Sequence, residues 1–386
     1  MAAPWMTHQP SYPANVSDFS VNTALQYGNR TCGNNESFKF LAYTITYCIV
    51  FPVGLLCNSL ALYVFLCLTP KTSVNRVFNM NLALSDVGFS LTLPFRLIYY
   101  LRGGHWDFPD WLCRWCVFSF YLNLYTSVLF LTSLSILRYL AVLYPIRNRS
   151  LVTVRRAQCV CLAIWLFVAL SSTPFLLSGT LQGHGRVHCF EPSSLVSWRR
   201  IFALNYVAVT LGFLLPFLTI LACYTCIIHR LMVRRMNAKQ QPLNRRRAVH
   251  VTAVILLTFL LCFLPYHVAR SIHLHAVVAL PTGHPRRCEI IELLQKILVV
   301  TLCLAASNSC FNPLLYYFSG QTFRNTVRNS SRRWSRGSLS SFKQSSLLQG
   351  RAKSREHGPM LPVNSDSYPC DPAQENNVIL DRAEDL

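Results

Sequence analysis

The sequence predicts an all-α membrane protein, a seven-transmembrane helix bundle followed by a short amphipathic eighth helix. Three observations lead to this prediction. The chain of 386 residues is 52% hydrophobic and only 13% charged, whereas soluble domains carry about 25% charged residues. Seven apolar stretches are each long enough to cross a bilayer as a helix. Lysine and arginine are concentrated in short segments between them, which is typical of cytosolic loops.

The apolar stretches, numbered here as spans one to seven, are predicted at 40–66, 76–101, 112–143, 157–178, 201–231, 248–277 and 291–318. Basic segments follow spans one, three, five and seven, so they lie on one side of the membrane, which the positive-inside bias makes cytosolic. The amino terminus is then extracellular. We therefore predict a glycosylated extracellular arm at 1–39, the bundle with its eighth helix at 40–333, and a disordered cytoplasmic tail at 334–386.

Composition also excludes several classes of function. The net charge of +21 is interpreted as a topology signal, so no nucleic-acid partner is expected. Most of the 16 cysteines lie inside apolar spans, where they serve as small buried hydrophobic residues. The first residues lack the basic patch and apolar core of a cleavable signal peptide. No nucleophile–base pair and no metal-ligand spacing indicates an enzyme.

Sequons for N-glycosylation lie in the arm at Asn15, Asn29 and Asn35. Two further sequons, at Asn148 and Asn329, fall in basic segments assigned to the cytosol. The sequons alone therefore do not decide the orientation of the chain.

Span three has the pattern of a helix surrounded by protein. The helix Cys113–Arg138 would rise through roughly 38 Å. Asn123 and Ser127 lie on one of its faces, and Tyr121 and Tyr125 lie on another. Because polar groups facing lipid on several sides are costly, we place this helix at the centre of the bundle. A single membrane anchor that tolerates a few polar residues is the simpler alternative.

Asp86 lies in the middle of span two, where an ionised group costs about 2.5–3.5 kcal/mol and needs partners. Amides and hydroxyls at matching depth form a predicted polar cluster with it: Asn58, Asn123, Ser127, Asn308 and Asn312. We interpret this cluster as a sodium site that links helix rearrangement to charge. A purely structural hydrogen-bond network is the alternative.

Motifs along the spans occur in a characteristic order. They are Asn58 in span one, Leu82-Ala83-Leu84-Ser85-Asp86 in span two, Arg138-Tyr139 at the end of span three, Trp165 in span four, Pro216 and Tyr224 in span five, Phe259 to Pro265 in span six, and Asn312-Pro313-Leu314-Leu315-Tyr316 in span seven. Over about residues 40–333 these motifs resemble the rhodopsin-like (class A) G-protein-coupled receptors. Phe318 and Phe323 resemble the start of the eighth helix of that family.

The resemblance implies a plasma-membrane receptor that activates a heterotrimeric G protein. It implies roles in coupling for Arg138, Tyr224, Phe259, Pro265 and Tyr316. It also implies a disulfide between Cys113 and Cys189, and a second one between Cys32 and Cys288, although a free Cys32 is an alternative.

The sequence departs from the family pattern at the cytosolic end of the bundle. Leu137 stands where the family usually has Asp before the arginine, and Arg245 replaces the customary carboxylate at the base of span six. Arg138 therefore lacks both of its usual acidic partners. Phe263 stands where Trp is commoner and can still serve as an aromatic pivot.

Cations on the outer halves of the spans indicate an anionic ligand. Arg96 and Arg270 lie within their spans without an obvious carboxylate partner, so we expect the ligand to supply the negative charge. Lys39 and Lys296 lie nearer the surface, and extension of these side chains toward the headgroups is the alternative for them.

Aromatic residues complete the predicted ligand site. Phe120 stands where amine receptors of the family carry Asp, which argues against a biogenic amine. Tyr121, Tyr125, Tyr266 and His267 add aromatic side chains with polar tips, a lining that suits an acidic head with a long apolar tail.

Longer runs narrow the resemblance. They are Leu93 to Arg96, Tyr99 to Gly103, Phe120 to Tyr125, Cys189 to Pro192, Phe263 to His267, His273 to His275 and Leu304 to Asn308. These runs resemble the cysteinyl leukotriene receptors, without resolving a subtype. The resemblance predicts ligand contacts at Lys39, Arg96, Tyr121, Tyr125, Tyr266 and Arg270.

The predicted partners are a cysteinyl leukotriene, membrane lipids, a Gq-type G protein that drives calcium signalling, and arrestin and receptor kinases at the Ser-rich tail. An unmodified tail is the alternative to phosphorylation. A receptor for nucleotides or small dicarboxylates is the alternative of the same class. An ion or proton transporter is a more distant one, because below Asp86 the core offers mainly amides and hydroxyls.

Overall fold

The computed structural model describes residues 37–177, 181–183, 186–189, 195–234, 242–279, 286–319, 323–326 and 328–329. The first four spans and the loop helix between spans three and four comprise α1 (Ser37–Tyr63), α2 (Val74–Ser90), α3 (Leu93–Leu101), α4 (Asp110–Leu143), α5 (Pro145–Leu151) and α6 (Val154–Ser172). A two-stranded antiparallel hairpin of β1 (Leu181–Gly183) and β2 (Arg186–His188) follows. The last three spans comprise α7 (Leu195–Val209), α8 (Leu215–Arg234), α9 (Pro242–Thr258), α10 (Leu264–Ala279), α11 (Arg287–Ala306) and α12 (Asn308–Ser319).

Six helical stretches of the described chain are individually long and apolar enough to cross a membrane. Span two is the exception, because it is interrupted at Leu91 and Thr92, just before Pro94 in the first turn of α3. Helical hydrogen bonding continues into this break, because the Leu91 amide still donates to the Val87 carbonyl at 3.0 Å. The α2 and α3 helices together form the remaining crossing. The fold class predicted from the sequence is confirmed, with this break as a difference in detail.

Wide π-helical turns interrupt three of the spans: Val64–Leu68, Thr210–Leu214 and Phe259–Phe263. The last two lie directly before Pro216 and Pro265. A proline has no amide hydrogen to give to the carbonyl four residues back, and its ring crowds that carbonyl. A turn with one extra residue accommodates both effects, which explains its position.

Span three lies at the centre of the bundle, as predicted. The α4 helix packs against α2, α6, α8 and α11, and its polar residues Ser119, Asn123, Thr126, Ser127 and Ser135 are buried. Spans one and four instead expose large apolar side chains, such as Leu41 and Leu170. Those faces are suited to contact with lipid.

The loop after span four is tied to the bundle in two ways. Cys113 and Cys189 form a disulfide with a Cα–Cα distance of 5.9 Å. The Trp106 amide donates to the Val187 carbonyl at 2.8 Å. Cys288 is also disulfide-bonded, but its predicted partner, Cys32, lies outside the described residues.

Several predictions fall wholly or partly on residues that the structure does not describe. These are the sequons of the arm, the tail, and part of the eighth helix, of which 323–326 and 328–329 are helical. Phe323 is buried against Phe65, with ring centres 6.2 Å apart. The first helix begins at Ser37, so Lys39 lies inside a helix and not in the arm.

Candidate ligand and signalling sites

Arg270 is the centre of the candidate ligand site. Its Nη1 atom donates to the Tyr266 hydroxyl at 2.8 Å. Its guanidinium carbon lies 5.2 Å from the ring centre of Tyr121 and 5.7 Å from that of Tyr266. Within the described part of the chain, no carboxylate lies within ion-pair distance of Arg270. A half-buried cation held by aromatic rings can bind an anion without first breaking an ion pair.

Tyr121 is itself held by a residue that the sequence analysis missed. Phe175, in a 3₁₀ turn (Thr173–Leu177) at the end of span four, stacks on Tyr121 with ring centres 3.8 Å apart and planes at 14°. Tyr121 therefore lies next to both Phe175 and Arg270. The sequence analysis named only Trp165 in span four and assigned no role to Phe175.

Arg96 is more deeply buried than Arg270 and is engaged by the protein. It is 6% exposed, donates to the carbonyl of Cys116, and lies 5.5 Å from the ring centre of Phe120. Tyr47 is a hydrogen-bonding neighbour of its guanidinium. The groups that contact Arg96 are neutral, so the expectation that an anionic ligand supplies the negative charge stays a prediction.

A tyrosine cluster surrounds this second arginine and joins spans one and two. The ring of Tyr43 lies 5.7 Å from Tyr47 and 4.6 Å from Tyr100. The sequence analysis did not place Tyr43, Tyr47 or Tyr100 in the ligand site.

Lys39 and Lys296, the other two cations of the outer half, lie in different surroundings. Lys39 is half-buried in the first turn of α1, with its Nζ atom 5.2 Å from the ring centre of Phe40. Lys296 pairs with Glu292 one helical turn away, at 2.8 Å. The i,i+4 spacing on the helix brings these two charges together, so Lys296 has a carboxylate partner within the chain.

Below Arg270 lies an aromatic layer that joins spans three, five and six. Tyr125 is half-buried, and a Cβ atom at Gly212 would lie 2.8 Å from its Cε1 atom. His267 stacks on Phe213 with ring centres 4.5 Å apart. The glycine thus lets the π turn of span five approach span three closely enough for this layer to form.

The predicted polar cluster is partly assembled as expected. Asn123 and Asn312 donate to the two carboxyl oxygens of Asp86, at 2.9 and 2.7 Å. Ser85, which the sequence analysis left out of the cluster, accepts a bond from Asn123 at 3.1 Å. Asn58 donates instead to backbone carbonyls, including that of Ser309 at 2.9 Å.

Three buried oxygens near this network have no hydrogen-bond partner among the described residues: Asn58 Oδ1, Ser127 Oγ and Asn308 Oδ1. Buried oxygens of this kind are normally satisfied by water or a bound ion. Together with a carboxylate they are the hard ligands that a small cation prefers. The residues present therefore fit the predicted sodium ion.

The cytosolic half contains the predicted coupling residues. Tyr224 is buried, and its hydroxyl lies 3.0 Å from that of Ser135 on span three. Tyr316 is buried edge-on against Phe65, with ring centres 5.3 Å apart.

The other coupling residues lie on spans three and six. Phe259 is fully buried and stacks near Phe213 and Phe217 of span five. Arg138 is half-buried, and Leu137 packs against the core. The side chain of Arg245 lies outside the described residues.

Comparison with known proteins agrees with this arrangement. The model of the family "7 transmembrane receptor (rhodopsin family)" matches residues 57–316. Cysteinyl leukotriene receptor 1 of Mus musculus is 40% identical over 299 residues, 77% of this chain and 83% of the relative. Cysteinyl leukotriene receptor 2 of Homo sapiens is 39% identical over 333 residues, 86% of this chain and 93% of the relative.

A relative with a different ligand in its name is also similar. Lysophosphatidic acid receptor 6 of Homo sapiens is 33% identical over 301 residues, 77% of this chain and 86% of the relative. The match to the family model includes Arg96, Arg270, the polar cluster and the cytosolic motifs in one continuous region. This chain is a multi-pass membrane protein that belongs to the rhodopsin family of seven-transmembrane receptors.

Proposed function

We propose that the chain is a receptor for cysteinyl leukotrienes, which combine an acidic head with a long apolar tail. The observation that carries the proposal is Arg270, held between Tyr121 and Tyr266 with no carboxylate partner in the described chain. Several relatives are named as cysteinyl leukotriene receptors, which supports the same ligand class. In this proposal Arg270 binds a carboxylate of the ligand, and the two tyrosines orient the guanidinium.

The remaining predicted contacts take secondary roles. Tyr125 lines the deeper, apolar part of the site, where the tail of the ligand would lie. Arg96 adds positive potential from behind the tyrosine cluster, and Lys39 attracts the acidic head at the entrance. Arg270 is expected to contribute most, because its charge is half-buried and its partners are neutral.

Signal transfer would run through the polar cluster and the cytosolic motifs. In the resting receptor a sodium ion would be held by Asp86, Asn123, Ser127, Asn308 and Asn312. Activation would release the inner ends of spans five and six, so that Arg138, Tyr224 and Tyr316 meet the G protein, with Phe259 and Pro265 as the pivot. Calcium signalling through a Gq-type protein is the expected output.

The topology and regulation are part of the proposal. The receptor would lie in the plasma membrane with its amino terminus outside, glycosylated at Asn15, Asn29 and Asn35. A disulfide between Cys32 and Cys288 would fix the arm to the loop before span seven. Receptor kinases and arrestin would act on serines of the cytosolic tail.

Calcium mobilisation in cells that express the full chain tests the ligand class. Cells are challenged separately with cysteinyl leukotrienes, lysophosphatidic acid, uridine and adenine nucleotides, and dicarboxylates. We expect a response to the leukotrienes at the lowest concentration. A clear response to nucleotides or lysophosphatidic acid, with none to leukotrienes, would reject the proposed ligand.

A further inference from the structure

His267 is a buried histidine whose two ring nitrogens differ in their hydrogen bonding. It lies on α10, is 2% exposed, and its Nδ1 atom is 2.8 Å from the Phe263 carbonyl oxygen. Its Nε2 atom is buried and has no hydrogen-bond partner among the residues that the structure describes. Leaving a buried polar atom unpaired is costly, so such an atom points to a partner from outside the chain.

The hydrogen bond to the Phe263 carbonyl determines whether Nε2 donates or accepts a hydrogen bond. A carbonyl oxygen only accepts hydrogen bonds, so Nδ1 must carry the hydrogen. In the neutral ring Nε2 then carries a lone pair and acts as an acceptor.

The surroundings of the ring connect it to the candidate ligand site. One face is covered by Phe213 at 4.5 Å between ring centres. Tyr266 and Tyr125, both residues of the candidate site, have ring centres 5.1 and 5.9 Å away. A molecule bound between these tyrosines, or a water in the same space, would therefore lie beside the imidazole ring.

We propose that Nε2 of His267 accepts a hydrogen bond from a hydroxyl or N–H group of the ligand. The inference rests on the proposed function and adds a requirement to it. Arg270 follows His267 by three residues on α10, which is a rise of about 4.5 Å along the helix. The Arg270 guanidinium also bonds to the hydroxyl of Tyr266, the residue next to His267, so the ligand must carry a donor close to its acidic group. Cysteinyl leukotrienes meet this requirement, since a hydroxyl lies a few carbon atoms from a carboxylate.

The test compares a cysteinyl leukotriene with its deoxy analogue, which lacks only that hydroxyl. Calcium responses are measured in cells expressing the full chain at matched surface levels. On the wild-type receptor we expect the deoxy analogue to be about tenfold or more weaker. Equal potency of the two ligands on the wild type would overturn the proposal without any variant.

Two substitutions test the roles of the two ring nitrogens of His267 separately. His267→Asn can keep a donor near the Phe263 carbonyl but loses the acceptor at the position of Nε2. His267→Gln places an amide oxygen near the position of Nε2 but loses the donor at Nδ1. We expect His267→Asn to weaken the parent ligand and abolish its advantage over the deoxy analogue, and His267→Gln to retain part of that advantage.

His273→Asn is the matched control, because His273 is also buried and lies two turns further out on α10. It should leave the difference between the two ligands unchanged. A difference that persists in full in His267→Asn would show that Nε2 has a structural or water-bound role, and would refute the inference while leaving the ligand class intact. A wild-type receptor that does not respond to the parent leukotriene would instead reject the proposed function and the inference with it.

Discussion

Tyr121 and Phe175 stack face to face, with ring centres 3.8 Å apart, although one lies in span three and the other at the end of span four. The guanidinium carbon of Arg270 lies 5.2 Å from the ring centre of the same Tyr121. The orientation of the candidate anion site therefore depends on a residue that does not touch the arginine. Aromatic pairs of this kind contribute about 0.5–1.5 kcal/mol beyond their buried area.

Phe175→Leu should therefore lower leukotriene potency by about two- to tenfold, because Tyr121 loses its support. Potency in the calcium assay at matched surface expression measures the effect. Phe167→Leu is the control, since Phe167 lies on the same span but is 48% exposed toward lipid. Equal losses in both variants would contradict a specific role for Phe175.

Arg270→Ala should lower potency by about ten- to a hundredfold, because a hydrogen-bonded charge pair with the ligand is lost. Arg270→Lys should recover only part of this loss, since lysine keeps the charge but not the planar guanidinium. Arg199→Ala, at an exposed arginine of span five, should have little effect. If Arg270→Ala gave the same dose–response curve as the wild type at normal surface expression, Arg270 would be excluded as the anion partner.

Gly212→Ala should destabilise the receptor by about 1–3 kcal/mol, because the added methyl would lie 2.8 Å from the ring of Tyr125. Thermal unfolding of the purified receptor measures this effect, and leukotriene potency should fall as Tyr125 is displaced. Gly88→Ala is the matched control, because nothing lies within 4 Å of a Cβ atom at Gly88. Equal unfolding temperatures for the two variants would contradict the predicted clash between residue 212 and Tyr125.

Asp86→Asn should make agonist affinity insensitive to sodium. The substitution removes the charge that a cation needs, and one of the two bonds from Asn123 and Asn312 loses its acceptor. Binding is measured in sodium chloride and in an organic-cation chloride of equal ionic strength. Asp107→Asn, in the loop after span two, should keep the sodium effect of the wild type. Sodium dependence that survives in Asp86→Asn would reject this cluster as the ion site.

Much of this architecture could be predicted because bilayer thickness and buried charge impose strong constraints on a sequence. The seven spans follow from apolar length, and the contacts of Asp86 with Asn123 and Asn312 follow from depth alone. The engagement of Arg96 by Cys116 could not be predicted, because the partner is a backbone carbonyl and every residue carries one. The stack of Phe175 on Tyr121 depends on how span four ends, which apolar composition does not encode.

The π turn at Phe259–Phe263 also changes how span six must be read. One extra residue in a helix rotates everything beyond it by about 100° relative to an uninterrupted α-helix. Side chains on α9 and those on α10 therefore follow two separate angular registers, and a helical wheel drawn through the whole span would place Tyr266, His267 and Arg270 on the wrong side. A single-residue deletion within the turn would accordingly restore a regular α-helix and leave Tyr266, His267 and Arg270 facing the tyrosines of span three, whereas loss of the π turn without a deletion would rotate all three away.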